Sequence, residues 1–458
     1  MNSGRVLIVP IEVKVREFYS RLFFAAKAVR RGYTALLGRS AVLHDGSQNL
    51  RRFPKGIIVE NDVTPQGYRF IAEARSRGYG IVAWDEEGIV TPADDLYAEY
   101  RVCERTLERV ALFFTRGCGD ASAIAARYPN LEARLRPAGN PRFDILRPAV
   151  FRHRAVLSPG RGNIILFNSR FAAVNPCSSA SLEQRRRNRL AKYDLIGRDT
   201  AASRVIGRWF DYQKMAFQRC QELVAALAEA FPDKTVIVRP HPSENRKAWE
   251  AVAGGYRNCL VGEGGSAIES SLEADVLIHN NCTTAIEANL LGVPTISFLP
   301  NPDELPSNQL PNLIGPSCCT ISSVIEAVRT TELGGAKEIE ARSSAAREKY
   351  GAYIAGLGAK DSSDIMLDAI DGLRVNMEPL HWRLSVQANV WTTRLKHSVK
   401  ETMGIGKLDP TRLAAKQAYY RRKFPGLSQE EISEVLARFG FGSHRVEPFA
   451  DQWFRISA

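Results

Sequence analysis

Short apolar runs separated by stretches of helical spacing recur along most of this chain. Val6 to Val9 is continuously apolar and ends at Pro10, the pattern of a strand buried on both faces. From Arg16 to Arg31 apolar residues return every three or four positions and the run stops at Gly32, which predicts an amphipathic helix closed by glycine. Thr34 to Leu37, Gly56 to Val59 and Gly80 to Trp84 read as further strands, with a helix over Tyr68 to Arg77. Val110 to Thr115 and Ala121 to Tyr128 repeat the pair. Such alternation predicts βαβ units on a parallel sheet, an α/β fold.

A turn cluster then interrupts the rhythm. Gly139-Asn140-Pro141-Arg142-Phe143-Asp144 carries a turn signal and a helix-capping aspartate, and Pro148 and Ser158-Pro159-Gly160-Arg161-Gly162 follow. A linker is expected near 147 to 162, dividing a first domain (1–150) from a second (160–372). In the second, strands are expected at Asn163 to Phe167, Thr235 to Val238, Asp275 to His279 and Gly292 to Phe298, with a long helix from Arg208 to Phe231. A helical stretch should end this domain near Gly372, leaving 376–458 as a basic helical tail.

At 458 residues the chain has room for two or three cores. A hydrophobic content of 45% with 24% charged residues is that of an ordinary globular protein, and no apolar run reaches transmembrane length. The start of the chain lacks the apolar core and cleavage site of a signal peptide. Eight scattered cysteines without a CxxC pair are read as free thiols in a reducing compartment, so the expected location is the cytoplasm. Of the net charge of +12, Arg383 to Lys423 supplies +8, from ten Lys/Arg against two acids. The rest is only mildly basic, which argues against a nucleic-acid binder and for a local anionic partner.

Chemistry gathers where strands end. Thr235 to Val238 are all β-branched, and the strand leaves through Arg239-Pro240-His241-Pro242-Ser243-Glu244. Ligands of open α/β sheets sit at the carboxyl ends of strands. Two prolines fix the loop, so His241 and Arg239 can both donate to a nucleotide phosphate; a solvated loop is the competing reading. Asp85-Glu86-Glu87-Gly88 follows the strand ending at Trp84. Three adjacent carboxylates repel one another, the usual setting for an acid, base or nucleophile, although Asp85 could simply cap a helix. Asn168-Ser169-Arg170 is a polar loop suited to a phosphate or an acceptor. Thr283 and Thr284, at the strand-to-helix junction after His279, offer two hydroxyls and free N–H groups, and Glu287 could accept from a ribose diol. Thr283 as a plain N-cap with Glu287 on the surface fits too. Arg185-Arg186-Arg187-Asn188-Arg189 reads as a solvated helix face.

Taken together, these motifs resemble those of GT-B glycosyltransferases and the non-hydrolysing UDP-sugar 2-epimerases. Glu86-Glu87-Gly88, His241-Pro242 and Thr283-Thr284 look like the D/E-D/E-G, HP and S/T motifs of bacterial sialyltransferases, and retaining β-Kdo transferases have a similar HP-bearing domain. More closely, Trp84 to Gly88, Gly139 to Asp144, Arg239 to Glu244 and Ile278 to Ala288 resemble the bacterial surface carbohydrate biosynthesis proteins, across most of residues 5 to 375. The resemblance implies two Rossmann-like domains facing across a cleft. It implies that Glu86 or Glu87 is the catalytic carboxylate, and that His241, Thr283 and Thr284 bind the phosphate of a CMP-linked donor. Kdo or a nonulosonic acid is then the natural sugar. Asp85 is an extra acid and both S/T positions are Thr, so which carboxylate acts stays open, as does a UDP-sugar.

The expected function is a glycosyltransferase of surface polysaccharide assembly, working without cofactor or metal, since no DxD motif lies in a suitable loop. Its partners would be a nucleotide-sugar donor and a glycan or lipid-linked acceptor. In Arg383 to Lys400, Leu384, Ala388, Trp391, Leu395 and Val399 share one helical face rimmed by basic residues. That face could lie on anionic lipid at the inner membrane or pack on the first domain. A UDP-sugar 2-epimerase and a non-catalytic nucleotide-sugar-binding scaffold are the competing readings.

Overall fold

A computed structural model describes residues 5–44, 50–89, 96–147, 150, 163–177, 181–262, 266–301, 310–331, 334–375 and 423–458. The boundary segment at 147 to 162 and the basic stretch from Arg383 to Arg422 fall almost wholly outside the described residues, and the basic amphipathic face expected there lies outside them.

The first sheet is built from β1 (Val6–Ile11), β2 (Thr34–Arg39), β3 (Ile57–Glu60), β4 (Gly80–Trp84), β5 (Leu112–Thr115) and β6 (Leu135–Pro137), which pair in parallel. The second contains β7 (Ile164–Asn168), β8 (Thr235–Arg239), β9 (Cys259–Val261), β10 (Val276–His279), β11 (Thr295–Phe298) and β12 (Ser317–Cys318), in the order β12-β11-β10-β7-β8-β9, again parallel. All six residues of β1 and all five of β4 are buried, as continuous apolar runs require when helices cover both faces.

The two sheets are not separate bodies. One apolar cluster runs from Leu7, Phe24 and Phe143 of the first domain to Leu166, Leu277 and Ile286 of the second. The helix Lys14–Arg30 lies along this seam and buries Phe18, Leu22 and Phe24. Two parallel α/β domains packed in this way, with a polar cleft at the strand ends, define a GT-B-like fold.

The chain's return corrects two expectations. The helix Ser362–Asp371, expected to close the second domain, packs on the first: Lys27 reaches Asp361 and Asp364, and Arg31 reaches Asp364 and Asp368. Asp144 locks it there by accepting from the backbone N–H groups of Ser362 (2.9 Å) and Ser363 (2.8 Å). Gly139, with φ +82°, supplies the close approach; a Cβ would lie 2.0 Å from the carbonyl oxygen of Ala355.

The end of the chain is not a helical tail. After the helix Gln429–Arg438, β13 (Arg445–Ala450) and β14 (Trp453–Ser457) form a hairpin, and β14 adds antiparallel to β2 at the edge of the first sheet. Trp453 is fully buried, over Gly38, where a Cβ would come within 2.4 Å of the indole. Trp453, Phe454 and Ile456 form a short aromatic and β-branched run, a strand signal that the basic charge of the tail obscured.

Candidate functional site

The loop after β8 is held by a residue the sequence reading quoted without giving it a role. Glu244 is fully buried and accepts from Ser169 Oγ (2.6 Å), Trp249 Nε1 (3.0 Å) and the backbone N–H groups of Phe171 (2.9 Å) and His241 (3.1 Å). Four donors fix two loops at once. Ser169, expected to meet a phosphate, is committed to this structural carboxylate instead.

His241 is thereby aimed into the cleft. The Ser243 N–H donates to its Nδ1 at 3.2 Å, so the neutral ring carries its proton on Nε2. Burial, then the cations Arg16 and Arg239, push its pKa down to about 4. Above that value His241 is a neutral donor through Nε2, suited to hydrogen-bond a phosphate oxygen and unsuited to take up a proton.

On the far side of β7, β10 ends in His279, followed by Asn280, both fully buried, and Asn281 takes a left-handed φ of +54° before Cys282. Thr283 makes no side-chain capping bond, so its hydroxyl is not spent on the helix, and it lines the cleft. Thr284 Oγ1 accepts from Asn168 Nδ2 (2.8 Å) and donates to Cys282 Sγ (3.1 Å). Asn168 therefore acts on Thr284 and does not itself line the cleft. The helix here, Thr284–Leu290, has seven residues, so this end offers hydroxyls more than a helix dipole.

Across the cleft the three acids have different environments. Asp85 is bound bidentately by Arg101 (2.5 and 2.6 Å), accepts from Tyr97 Oη (3.0 Å) and does not line the cleft. Its carboxylate is occupied in structure, holding Arg101 in place. Glu86 is buried and accepts from Trp84 Nε1 (2.6 Å), pairs with Arg21 (3.1 Å) and faces Asn140 Nδ2 at 3.4 Å. Burial disfavours its charge, but Arg21, Arg142 and Arg16 outweigh that and lower its pKa. Glu87 stands apart, its side chain 47% exposed within the cleft, with Lys192 at 3.2 Å, Arg16 at 3.6 Å and Arg101 at 3.7 Å. Enclosure by the cleft walls works against its charge, yet these three cations hold its pKa well below the usual carboxylate range.

One cavity of about 310 Å³ joins the two sets. Glu86 and Glu87 line it from the first domain; Arg239, His241, Pro242, Thr283, Thr284 and Glu287 line it from the second. Glu287 is buried and pairs across the domains with Arg142 at 3.0 Å, so it bridges the halves through a residue of the Gly139-to-Asp144 turn. Its signal in sequence was that turn's position at a strand end. Six arginines and three carboxylates line the cavity, a surplus of three positive charges. Arrangement and charge fit an anionic ligand whose far end reaches a carboxylate.

The fold and the site thus define a GT-B-like α/β protein with a net-positive cleft between its domains. Set against protein-family models and against curated proteins, the chain matches none. Among solved structures it is similar to the wall teichoic acid polymerase TagF, at 12% identity and a TM-score of 0.47 over 81% of this chain and 90% of that one. It is similar also to the UDP-GlcNAc 2-epimerase of Neisseria meningitidis bound to UDP-GlcNAc (12%, TM-score 0.45, 81% and 100% covered). A putative UDP-N-acetylglucosamine 2-epimerase of Listeria monocytogenes gives 12% and 0.45, covering 81% and 96%. At these values the likeness says nothing of substrate.

Proposed function

We propose that the chain is a glycosyltransferase of surface polysaccharide biosynthesis that takes a sugar from a nucleotide-activated donor to a glycan acceptor. The observation that carries this reading is the shared cavity, with Arg239, His241 and the Thr283 hydroxyl at one side and Glu86 and Glu87 at the other. As the bond between the anomeric carbon and the phosphate oxygen breaks, its electrons leave onto the phosphate. Arg239 and the Nε2–H of His241 meet that growing charge with groups already in place. The donor is read as CMP-linked and its sugar as Kdo or a related ulosonic acid, on the motif resemblance of Glu86-Glu87-Gly88, His241-Pro242 and Thr283-Thr284.

Of the acids, Glu87 is assigned to the reacting centre and Glu86 to its support. Glu86 is fixed by Trp84 and Arg21, whereas Glu87 is open to the cavity. A carboxylate whose pKa is held low is a weak base. It is better suited to stabilise positive charge at the anomeric carbon, or to attack it and form a glycosyl-enzyme. Asp85 positions Arg101 beside it. Incubation with CMP-, UDP- and CDP-sugars, followed by intact-mass spectrometry and product analysis, tests the proposal. A transferred or enzyme-bound sugar that disappears in Glu87→Gln supports it. Deuterium incorporated at the sugar C2 in heavy water would instead reveal epimerisation, and nucleotide binding without turnover a scaffold.

A further inference from the structure

Apart from Arg239, already assigned beside His241, the arginines lining the cavity fall into two groups. Those from the first domain each have a carboxylate: Arg16 pairs with Glu17 (2.6 Å), Arg101 with Asp85 (2.5 Å) and Arg142 with Glu287 (3.0 Å). Arg170 and Arg189, from the second domain, have none at ion-pair distance among the described residues. Arg170 follows β7 and donates to the backbone carbonyl of Asn281. Arg189 comes from the helix Leu182–Lys192, and its guanidinium lies 4.3 Å from the centre of the Trp209 ring.

These are neutral contacts for charged groups, and the two charges oppose one another. Burial lowers the pKa of Arg170; Cys282 pulls it back up, and Arg189 adds a further, smaller push down. The backbone is bent to keep the arrangement: Asn281, whose carbonyl receives Arg170, holds its φ of +54°, while its Oδ1 accepts from Asn312 Nδ2 at 3.2 Å. Two like charges held together in a cavity, each stabilised by an uncharged partner, form a site completed by a ligand's negative charge.

We infer that Arg170 and Arg189 recognise a second anionic group of the donor, distinct from the phosphate assigned to His241 and Arg239. A donor with one phosphate and no other charge would leave the pair unmatched. The class of ligand is therefore one bearing two anionic groups, either the β-phosphate of a nucleoside diphosphate or the carboxylate of a sugar acid on a monophosphate. This rests on the nucleotide-donor reading above and narrows it.

Isothermal titration calorimetry on the full chain separates these cases, with CMP and UMP as one-anion probes, CDP and UDP for a second phosphate, and CMP-N-acetylneuraminate for a carboxylate. The wild type should bind one of the two-anion ligands at least tenfold more tightly than the matching monophosphate, and the ligand that gains identifies the source. Arg170→Met/Arg189→Met should remove that gain: the loss of two cavity charges weakens the monophosphate too, but the two-anion ligand should lose at least tenfold more affinity than the matching monophosphate. Arg170→Lys/Arg189→Lys should keep part of it, and thermal melts establish that each variant is folded. His241→Ala should weaken all the probes alike. Equal wild-type affinity for one-anion and two-anion ligands, or a uniform loss in the double Met variant, overturns this inference alone. No binding of any probe by the wild type overturns the donor reading and this inference with it.

Discussion

Neutralising Glu87 should raise affinity for a nucleotide while stopping turnover. The cavity already has three positive charges in surplus, and Glu87→Gln adds a fourth. A compact cavity of about 310 Å³ is roughly 8 Å across, so a phosphate at the far wall stands about that far from Glu87. Coulomb's law at that distance gives roughly 1–2 kcal/mol for an effective dielectric of about 20–40. Because the Glu87 side chain is 47% exposed, the screened end applies, about 1 kcal/mol, or roughly fivefold tighter binding. The assay is calorimetric titration of CMP, CDP and UDP into wild type and variant at low and moderate salt, beside a donor-consumption assay. Tighter binding that shrinks with salt, together with lost turnover, is the expected result. Weaker binding by a folded variant, or unchanged turnover, would refute the assignment of Glu87.

Protonation should destabilise the fold in acid. The pKa of fully buried His279 is driven to about 3 by burial and then Arg170, so the unfolded chain takes up the proton first. Stability is intact above about 6.5 and is lost as pH falls towards 3, by at most roughly 5 kcal/mol for His279, with His241 adding to the same slope. Asp144, pushed up to about 7 by burial and Asp361, works the other way, its stabilisation being lost as pH rises to 7. His279→Asn should flatten the melting-temperature profile between pH 6.5 and 4; an unchanged profile contradicts this. Arg142→Met leaves Glu287 buried without its partner and should cost about 3–5 kcal/mol, most of it restored by Arg142→Met/Glu287→Leu, as chemical denaturation would show. Glu244→Ala releases four donors, so nucleotide affinity should fall as far as in His241→Ala; affinity left intact would mean the loop needs no such anchor.

The parallel strands were legible because apolar runs such as Val6 to Val9 and Gly80 to Trp84 leave little choice when both faces are covered. The strand-end motifs were legible as candidates for the same topological reason. Partnership was not: nothing in Asp85-Glu86-Glu87 tells which acid is taken by Arg101, sixteen residues on, and which faces Lys192 from the other domain. Ser169 could not be told from Thr283 either, since Glu244, 75 residues away in sequence, consumes its hydroxyl. Arg185 to Arg189 looked like a solvated face, yet Arg185 donates to the carbonyl of Ala173 and Arg189 stands at the cavity. The closing hairpin escaped because β14 pairs with β2, more than four hundred residues before it.

The most direct measurement is a structure of Glu87→Gln soaked with a nucleotide sugar that it binds. The account predicts phosphate oxygens within hydrogen-bond reach of His241 Nε2 and the Thr283 hydroxyl, with the anomeric carbon turned towards residue 87. A nucleotide found away from the cavity, or lying in it with its sugar directed away from that residue, would contradict it.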